Sequence, residues 1–158
     1  MAAGGPASEL ILFIVAVIVA GSVAGGLAYV TTDIAHGMND RGAMLADKLR
    51  TDFAIINDPN NVPVEGTGPY NYTFYVKNIG KNSIAFTSSA VQVFIDGEMV
   101  PAANLTFTDV GGVPISSLDA YGVGVIKVTR GAALAQGYHT LIVVLENGER
   151  RSFVFRVS

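Results

Sequence analysis

The sequence predicts an α+β chain in which a long N-terminal hydrophobic helix, serving as membrane anchor and stalk, precedes an all-β sandwich. Three observations carry this prediction: an uncharged apolar run from Leu10 to Val30, helical spacing of apolar residues from Ile34 to Ile56, and period-two alternation from Tyr70 onward. The chain has 158 residues, enough for one modest domain and an anchor. Half of the residues are hydrophobic and only 15% are charged, against roughly 25% in soluble domains. That excess is concentrated before residue 31, so it belongs to one segment and not to the composition as a whole.

The apolar run reads LILFIVAVIVAGSVAGGLAYV. As a helix it reaches about 32 Å, matching a hydrocarbon core of about 30 Å. A secretory signal peptide fits less well, because a positive n-region is missing and an amphipathic helix follows where processing should occur. Residues 1–32 are therefore read as a tail and a retained single-pass span. Within it Ala16, Ala20, Ala24 and Ala28 recur every four residues, beside Gly21 and Gly25 in a GxxxG spacing. Small side chains let backbones approach closely, so this face is a candidate for packing against other membrane helices. Glu9 stands at the mouth of the span, where a carboxylate is tolerated at the interface or against a cation; it is a candidate registration point, pairing with a neighbour's amino terminus.

Residues 33–57 are expected to continue as an amphipathic stalk helix. Ile34, Met38, Leu45, Leu49, Phe53 and Ile56 recur at helical spacing, weakened at Gly37 and Gly42. Leu45, Leu49 and Phe53 are candidate assembly residues outside the membrane. Asp33, Asp40 and Asp47 repeat every seven residues, as do Arg41 and Lys48, a spacing that most often marks a solvated face. Asn57-Asp58-Pro59 should stop the helix, since proline disfavours the helical conformation in the residue before it. Residues 58–69 are then a linker, with Asp58-Pro59-Asn60-Asn61 a turn and not a calcium loop, for which the glycine and terminal carboxylate are missing.

In the domain 70–158, Tyr70, Tyr72, Phe74 and Val76 alternate with polar neighbours, as in a strand with one buried face. Six further runs read as strands: 83–86, 90–95, 105–110, 123–129, 140–146 and 151–157. Asp96-Gly97 and Asn147-Gly148 suit type I′ hairpins, which need positive φ at both central positions. Seven short strands joined by frequent turns suggest a small immunoglobulin-like sandwich. Two sequons, Asn71-Tyr72-Thr73 and Asn104-Leu105-Thr106, make Asn71 and Asn104 candidate N-glycosylation sites. Arg41, Lys48 and Arg50 follow the span and by the positive-inside rule would leave this domain in the cytoplasm. The sequons, falling on the polar phase of their strands, argue instead for an exported domain.

Nothing in the chain carries the pattern of catalysis. With no cysteine there is no thiolate nucleophile or thiolate zinc site, and no run of Lys or Arg makes a nucleic-acid footprint. His36 and His139 are about a hundred residues apart and read as ordinary surface or core histidines. No nucleophile elbow, Walker loop or dinucleotide fingerprint occurs, and Glu146 and Glu149 flank a tight hairpin where they would be solvated. No enzyme, no cofactor, no metal and no nucleic acid are expected.

Three blocks, SELILFIVAVIVAGSVAG, LRTDFAIINDP and YVKNIG, resemble the archaellum accessory protein G family, with LRTDFAIINDP the most distinctive. The apolar helix alone is shared with archaellins and type IV pilin-like proteins, whose architecture the chain resembles overall. The resemblance implies a stator-like structural component in the archaeal cytoplasmic membrane with its C-terminal domain outside, in the pseudo-periplasm. Its implied partners are itself, through the N-terminal helices, sister protein F, the surface-layer protein and the membrane. The alternative is an archaellin or pilin-like filament subunit for motility or adhesion, which requires processing. A cut after Gly4 would make Glu9 the fifth mature residue, but Met1-Ala2-Ala3-Gly4 lacks the basic residue such subunits carry, which favours an unprocessed chain. A membrane-tethered binding module is the third reading; Tyr70, Tyr72 and Tyr75 would line its pocket, although first-strand aromatics are more often core.

Overall fold

The computed structural model describes residues 4–158. Met1–Ala3, on which the cleavage reading partly rests, lie outside the described residues. One long α-helix is followed by antiparallel sheets, as the periodicities predict. Helix α1 spans Gly4–Arg50 and runs unbroken through Gly37 and Gly42. Every residue from Gly4 to Arg50 is exposed, including the apolar run, and the hydroxyls of Ser22, Thr31 and Thr32 bond back to carbonyl oxygens four residues earlier. Those bonds satisfy polar groups within the helix itself, as an apolar surrounding requires.

The chain divides into two compact units, residues 1–45 and 46–158, so the last helical turn belongs to the β-rich unit. This unit contains β1 (Phe53–Ile55), β2 (Val64–Glu65), β3 (Tyr70–Asn78), β4 (Ile84–Ala85), β5 (Gln92–Ile95), β6 (Glu98–Met99), β7 (Leu105–Asp109), β8 (Ser117–Leu118), β9 (Val123–Arg130), β10 (Gly137–Val144) and β11 (Arg150–Val157). One sheet has the order β1-β3-β9-β7 with β2 also on β3, the second has the order β11-β10-β5-β6, and β4 pairs with β8. The alternating buried positions of the two larger sheets face one another: Phe74 on β3 meets Phe155 on β11 edge to face at 5.3 Å. Phe86 and Phe107 make a similar contact at 5.0 Å, and such pairs add about 0.5–1.5 kcal/mol beyond burial.

All seven strands expected from alternation are present, with shifted ends. The helix, however, stops at Arg50 and not at Asn57, so the expected stalk of 33–57 is too long. Thr51 closes the helix by directing its amide and its hydroxyl to the Asp47 carbonyl, at 3.0 and 2.9 Å. Phe53 then enters the core in β1, pairs with Asn78 and is 0% exposed. Burying a phenylalanine outweighs the helical spacing it happens to share with Leu49. The β-rich unit accordingly begins well before residue 70, and the expected linker 58–69 carries β2, whose Val64 and Glu65 pair with Tyr72 and Asn71. Asp58–Asn61 is the expected turn, closed by the Asn61 amide on the Asp58 carbonyl at 3.2 Å.

The two hairpins differ. Asp96 and Gly97 both have positive φ, 53° and 84°, as a type I′ turn requires. In the second, Gly148 alone has positive φ and its amide bonds the Leu145 carbonyl, while the Leu145 amide bonds Glu149. That is a three-residue loop with a bulge at glycine, not the type I′ turn the dipeptide suggests.

Candidate assembly site

The blocks LRTDFAIINDP and YVKNIG, about twenty residues apart in sequence, meet in space. The Arg50 carbonyl accepts from the amides of Lys81 at 2.7 Å and Asn82 at 3.3 Å, and the Asp52 carbonyl accepts from Ile79 at 2.9 Å and Gly80 at 3.0 Å. The Asn82 side-chain amide donates to the Asp47 carboxylate at 2.7 Å. A helix leaves its last carbonyls without intrahelical partners, and here the loop after β3 supplies them. Gly80 is required by this approach: a Cβ there would overlap the Arg50 carbonyl oxygen and stand 2.6 Å from the Asp52 amide nitrogen.

Asn78 holds the loop from behind. It is fully buried, donating to the carbonyls of Asn82 at 2.8 Å and Leu118 at 3.0 Å while accepting from the Gly80 amide at 2.9 Å. Asn57 bridges the far end of β1, donating to the Thr73 carbonyl at 2.9 Å and accepting from the Tyr75 amide at 2.6 Å. Arg151 on β11 joins the junction through Asp52 and, at 2.6 Å, Glu149. The turn from helix to sheet is thus closed by backbone bonds, two buried amides and an ion triad. A small cavity of about 120 Å³, lined among others by Asp47, Thr51, Ile84 and Leu145, lies against this junction.

Of the candidate assembly residues, Glu9, Ala16, Ala20, Gly21, Ala24, Gly25, Ala28, Leu45 and Leu49 lie on α1 and are exposed. A Cβ added at Gly21 or Gly25 would meet open space. Phe53 is the exception, withdrawn into the core and unable to serve a helix face. The sequence reading passed over a second polar constellation. His139 Nδ1 lies 2.6 Å from Asp96 Oδ2 and its Nε2 2.7 Å from the Ala135 carbonyl, while Asp96 Oδ1 accepts from the Thr140 amide at 2.8 Å. The Asp96 hydrogen bond raises the His139 pKa, helped by the Ala135 carbonyl and opposed by burial. Burial pulls Asp96 upward, but the bonds from His139 and Thr140 outweigh it and leave the carboxyl below its ordinary value. The pair clasps β10 to the tip of the β5–β6 hairpin. Among the described residues no group of three or more His, Asp or Glu side chains could hold a metal ion.

A family model described as archaeal-type flagellin matches residues 2–155. The chain belongs to the archaeal-type flagellin family. Within this family, the flagella-related protein G of Methanococcus voltae is 36% identical over 146 residues, covering 92% of this chain and 93% of that protein. The protein of the same name from Methanocaldococcus jannaschii is 36% identical over 145 residues, covering 91% and 90%. Among solved structures, the archaellum periplasmic stator protein FlaG from Sulfolobus acidocaldarius has 20% identity and a TM-score of 0.48, covering 66% of this chain and 99% of that one.

On this archaeal-type flagellin chain the two sequons are not equivalent. Asn71 is half-buried on a strand paired along both edges, with its side-chain oxygen accepting from Thr129 at 2.8 Å, and Thr73 is buried. Asn104 ends a short 3-10 turn before β7 and is exposed, as is Thr106. Only the second sequon offers the side-chain nitrogen and the hydroxyl to a modifying enzyme without disturbing a sheet. The feature that separates them is strand pairing, which composition does not report.

Proposed function

We propose that this chain is a structural, stator-like component of the archaellum motor. It assembles through its N-terminal helix in the archaeal cytoplasmic membrane, as a single-pass protein with the β-rich unit outside. The β-rich unit, acting with sister protein F, braces the motor against the surface layer. The observation that carries this reading is the joint at Arg50–Phe53, where the last turn of an apolar-to-amphipathic helix is tied into a sheet by main-chain hydrogen bonds. Those bonds fix the helix's last turn to the head, as a load-carrying part requires at that point. The 36% identity to two flagella-related proteins G over nearly their whole length supports the same reading.

The small-residue face of Ala16, Ala20, Gly21, Ala24, Gly25 and Ala28 supplies helix contacts within the membrane, with Leu45 and Leu49 continuing them outside and Glu9 setting register. The strand orders β1-β3-β9-β7 and β11-β10-β5-β6 support an immunoglobulin-like description of the head, being the A-B-E-D and G-F-C-C′ orders of that sandwich. Protein F and the surface layer enter on the resemblance of the sequence blocks.

A filament-subunit role is favoured by the description of the family model, archaeal-type flagellin. Intact mass of the chain extracted from native membranes, combined with electron microscopy of the same material, separates the two. A full N terminus in short envelope-bound assemblies supports the stator role. A chain shortened by four residues in long extracellular filaments overturns it in favour of the filament subunit.

A further inference from the structure

The second sequon opens onto a groove. Asn104 closes the 3-10 turn Ala102–Asn104, and both it and Thr106 are exposed. An exposed asparagine at the end of a turn needs no explanation of its own. Asn104, however, lines a groove of about 220 Å³ together with Glu98, Met99, Pro101 and Arg130. Arg130 closes β9 and pairs with Tyr70 at the start of β3, the end of that strand opposite Asn78 and the helix joint. The groove therefore lies at the far end of the β-rich unit, where β6 of one sheet approaches β9 of the other.

Its walls carry hydrogen-bonding groups that are not spent on each other. Glu98 stands opposite Ile95 and Arg130 is in phase with the buried Ile126 and Val128, so both side chains turn toward the space between the sheets. Their charged atoms are 3.6 Å apart, close enough for attraction and too far for a hydrogen bond. The guanidinium thus keeps donors, and the carboxylate acceptors, for a third group. Thr129 also lines the groove, but its hydroxyl is committed to Asn71 at 2.8 Å. Met99 and Pro101 add apolar surface. A pyranose ring has the matching character, with C–H faces and a rim of hydroxyls that both donate and accept.

Size decides between a free and a tethered ligand. Pockets for free ligands usually measure about 300–1,000 Å³, and this groove is smaller. A sugar fixed to Asn104 needs far less affinity, because the tether holds it beside the groove at an effective concentration of about millimolar. We infer that Asn104 carries an N-linked saccharide whose first ring lies in this groove, against Glu98 and Arg130, and fastens the two sheets together at their far end. The acceptor step joins the Asn104 side-chain nitrogen to the anomeric carbon of a glycosyl phosphate donor. The C–O bond to phosphate breaks, the phosphate leaves with the electron pair, and the nitrogen gives up one proton. The inference rests on the exported orientation proposed above, and its test reads the two separately.

The full chain is purified in detergent from native membranes as the natural sequence, as Thr106→Ala, which ends the sequon from an exposed position, and as Thr106→Ser, which keeps it. Peptide mass spectrometry reads occupancy at Asn104. Reaction with an arginine-selective dicarbonyl reads cover at Arg130, with the exposed Arg150 as internal control. A saccharide mass is expected on Asn104 in the natural chain and in Thr106→Ser, and none in Thr106→Ala. Arg130 should react at least about fivefold faster in Thr106→Ala than in the other two, because the fraction of time the groove is empty sets the rate, while Arg150 reacts alike in all three. A bare Asn104 in the natural chain overturns the inference. Labelling of Lys77 by an impermeant amine reagent, on intact cells stripped of their surface layer, then shows that the inference alone falls. Protection of Lys77 until the membrane is permeabilised shows that the exported orientation falls with it. A saccharide on Asn104 with Arg130 equally reactive in all three chains also overturns the inference, since the glycan then hangs free of the groove.

Discussion

Asp96 does two things that sequence treats separately: it sits in the left-handed region of a turn, and its carboxylate holds His139 and Thr140. The dipeptide Asp-Gly announces the turn, but nothing local announces the histidine forty-three residues later, which is why His139 reads as ordinary until the hairpin is folded against β10. A histidine with raised pKa stabilises fully below its unfolded pKa and loses that contribution as pH rises through the folded value. A carboxylate with depressed pKa stabilises above its unfolded pKa and loses that contribution as pH falls through the folded value. The clasp therefore contributes most at mildly acidic pH, between the ordinary values of the carboxyl and the imidazole, 3.8 and 6.5. Asp96→Asn keeps a residue that tolerates positive φ while removing the charge. Thermal unfolding across pH should show the variant trailing the natural chain most at mildly acidic pH, with the gap narrowing as His139 deprotonates. Gly80 is governed by space instead. Gly80→Ala must push its Cβ away from the Arg50 carbonyl, and a cost of about 1–3 kcal/mol is expected in chemical denaturation of the β-rich unit.

At the scale of elements, legibility follows length. Helix α1 and the six strands of four or more residues repeat their period often enough to be read, whereas β1, β2, β6 and β8, of two or three residues each, exist because a neighbouring strand pairs with them; β4, also two residues, is legible only through the apolar run around it. Phe53 shows the limit best: it stands four residues after Leu49 and three before Ile56, so its helical spacing is real and yet tertiary burial in β1 decides its place. The two families of apolar residue should accordingly respond to different measurements. Ala20→Leu or Gly21→Leu, on the exposed helix face, should reduce lateral association of the chain in membranes, read by cross-linking, and leave head stability unchanged. Phe53→Ala should do the reverse, costing about 3–5 kcal/mol of head stability through the cavity it leaves, with helix association intact. If assemblies persist with leucine at both helix positions, the small-residue face is not what holds them together.

For the molecule as a whole, two of the three motifs that carried the family resemblance, LRTDFAIINDP and YVKNIG, turn out to hold the residues that make the joint. The first must end a helix at Thr51, fill the core with Phe53 and bridge strands with Asn57, and few sequences do all three. Orientation across the membrane is less legible, because two signals in the chain disagree. Arg41, Lys48 and Arg50 favour keeping the β-rich unit in the cytoplasm, while the sequon at Asn104, displayed on the surface, favours export. Export through a dedicated assembly pathway would override the basic flank, since that flank biases insertion without forbidding translocation. Protease added to intact cells stripped of their surface layer should remove the β-rich unit and leave the helix in the membrane. The released fragment should carry any N-linked glycan at Asn104 and none at Asn71, where the side-chain oxygen is held by Thr129 and Thr73 is buried. Full protection of the unit until the cells are lysed would show that the basic residues decide the topology, and the bracing role outside the membrane would fall with it.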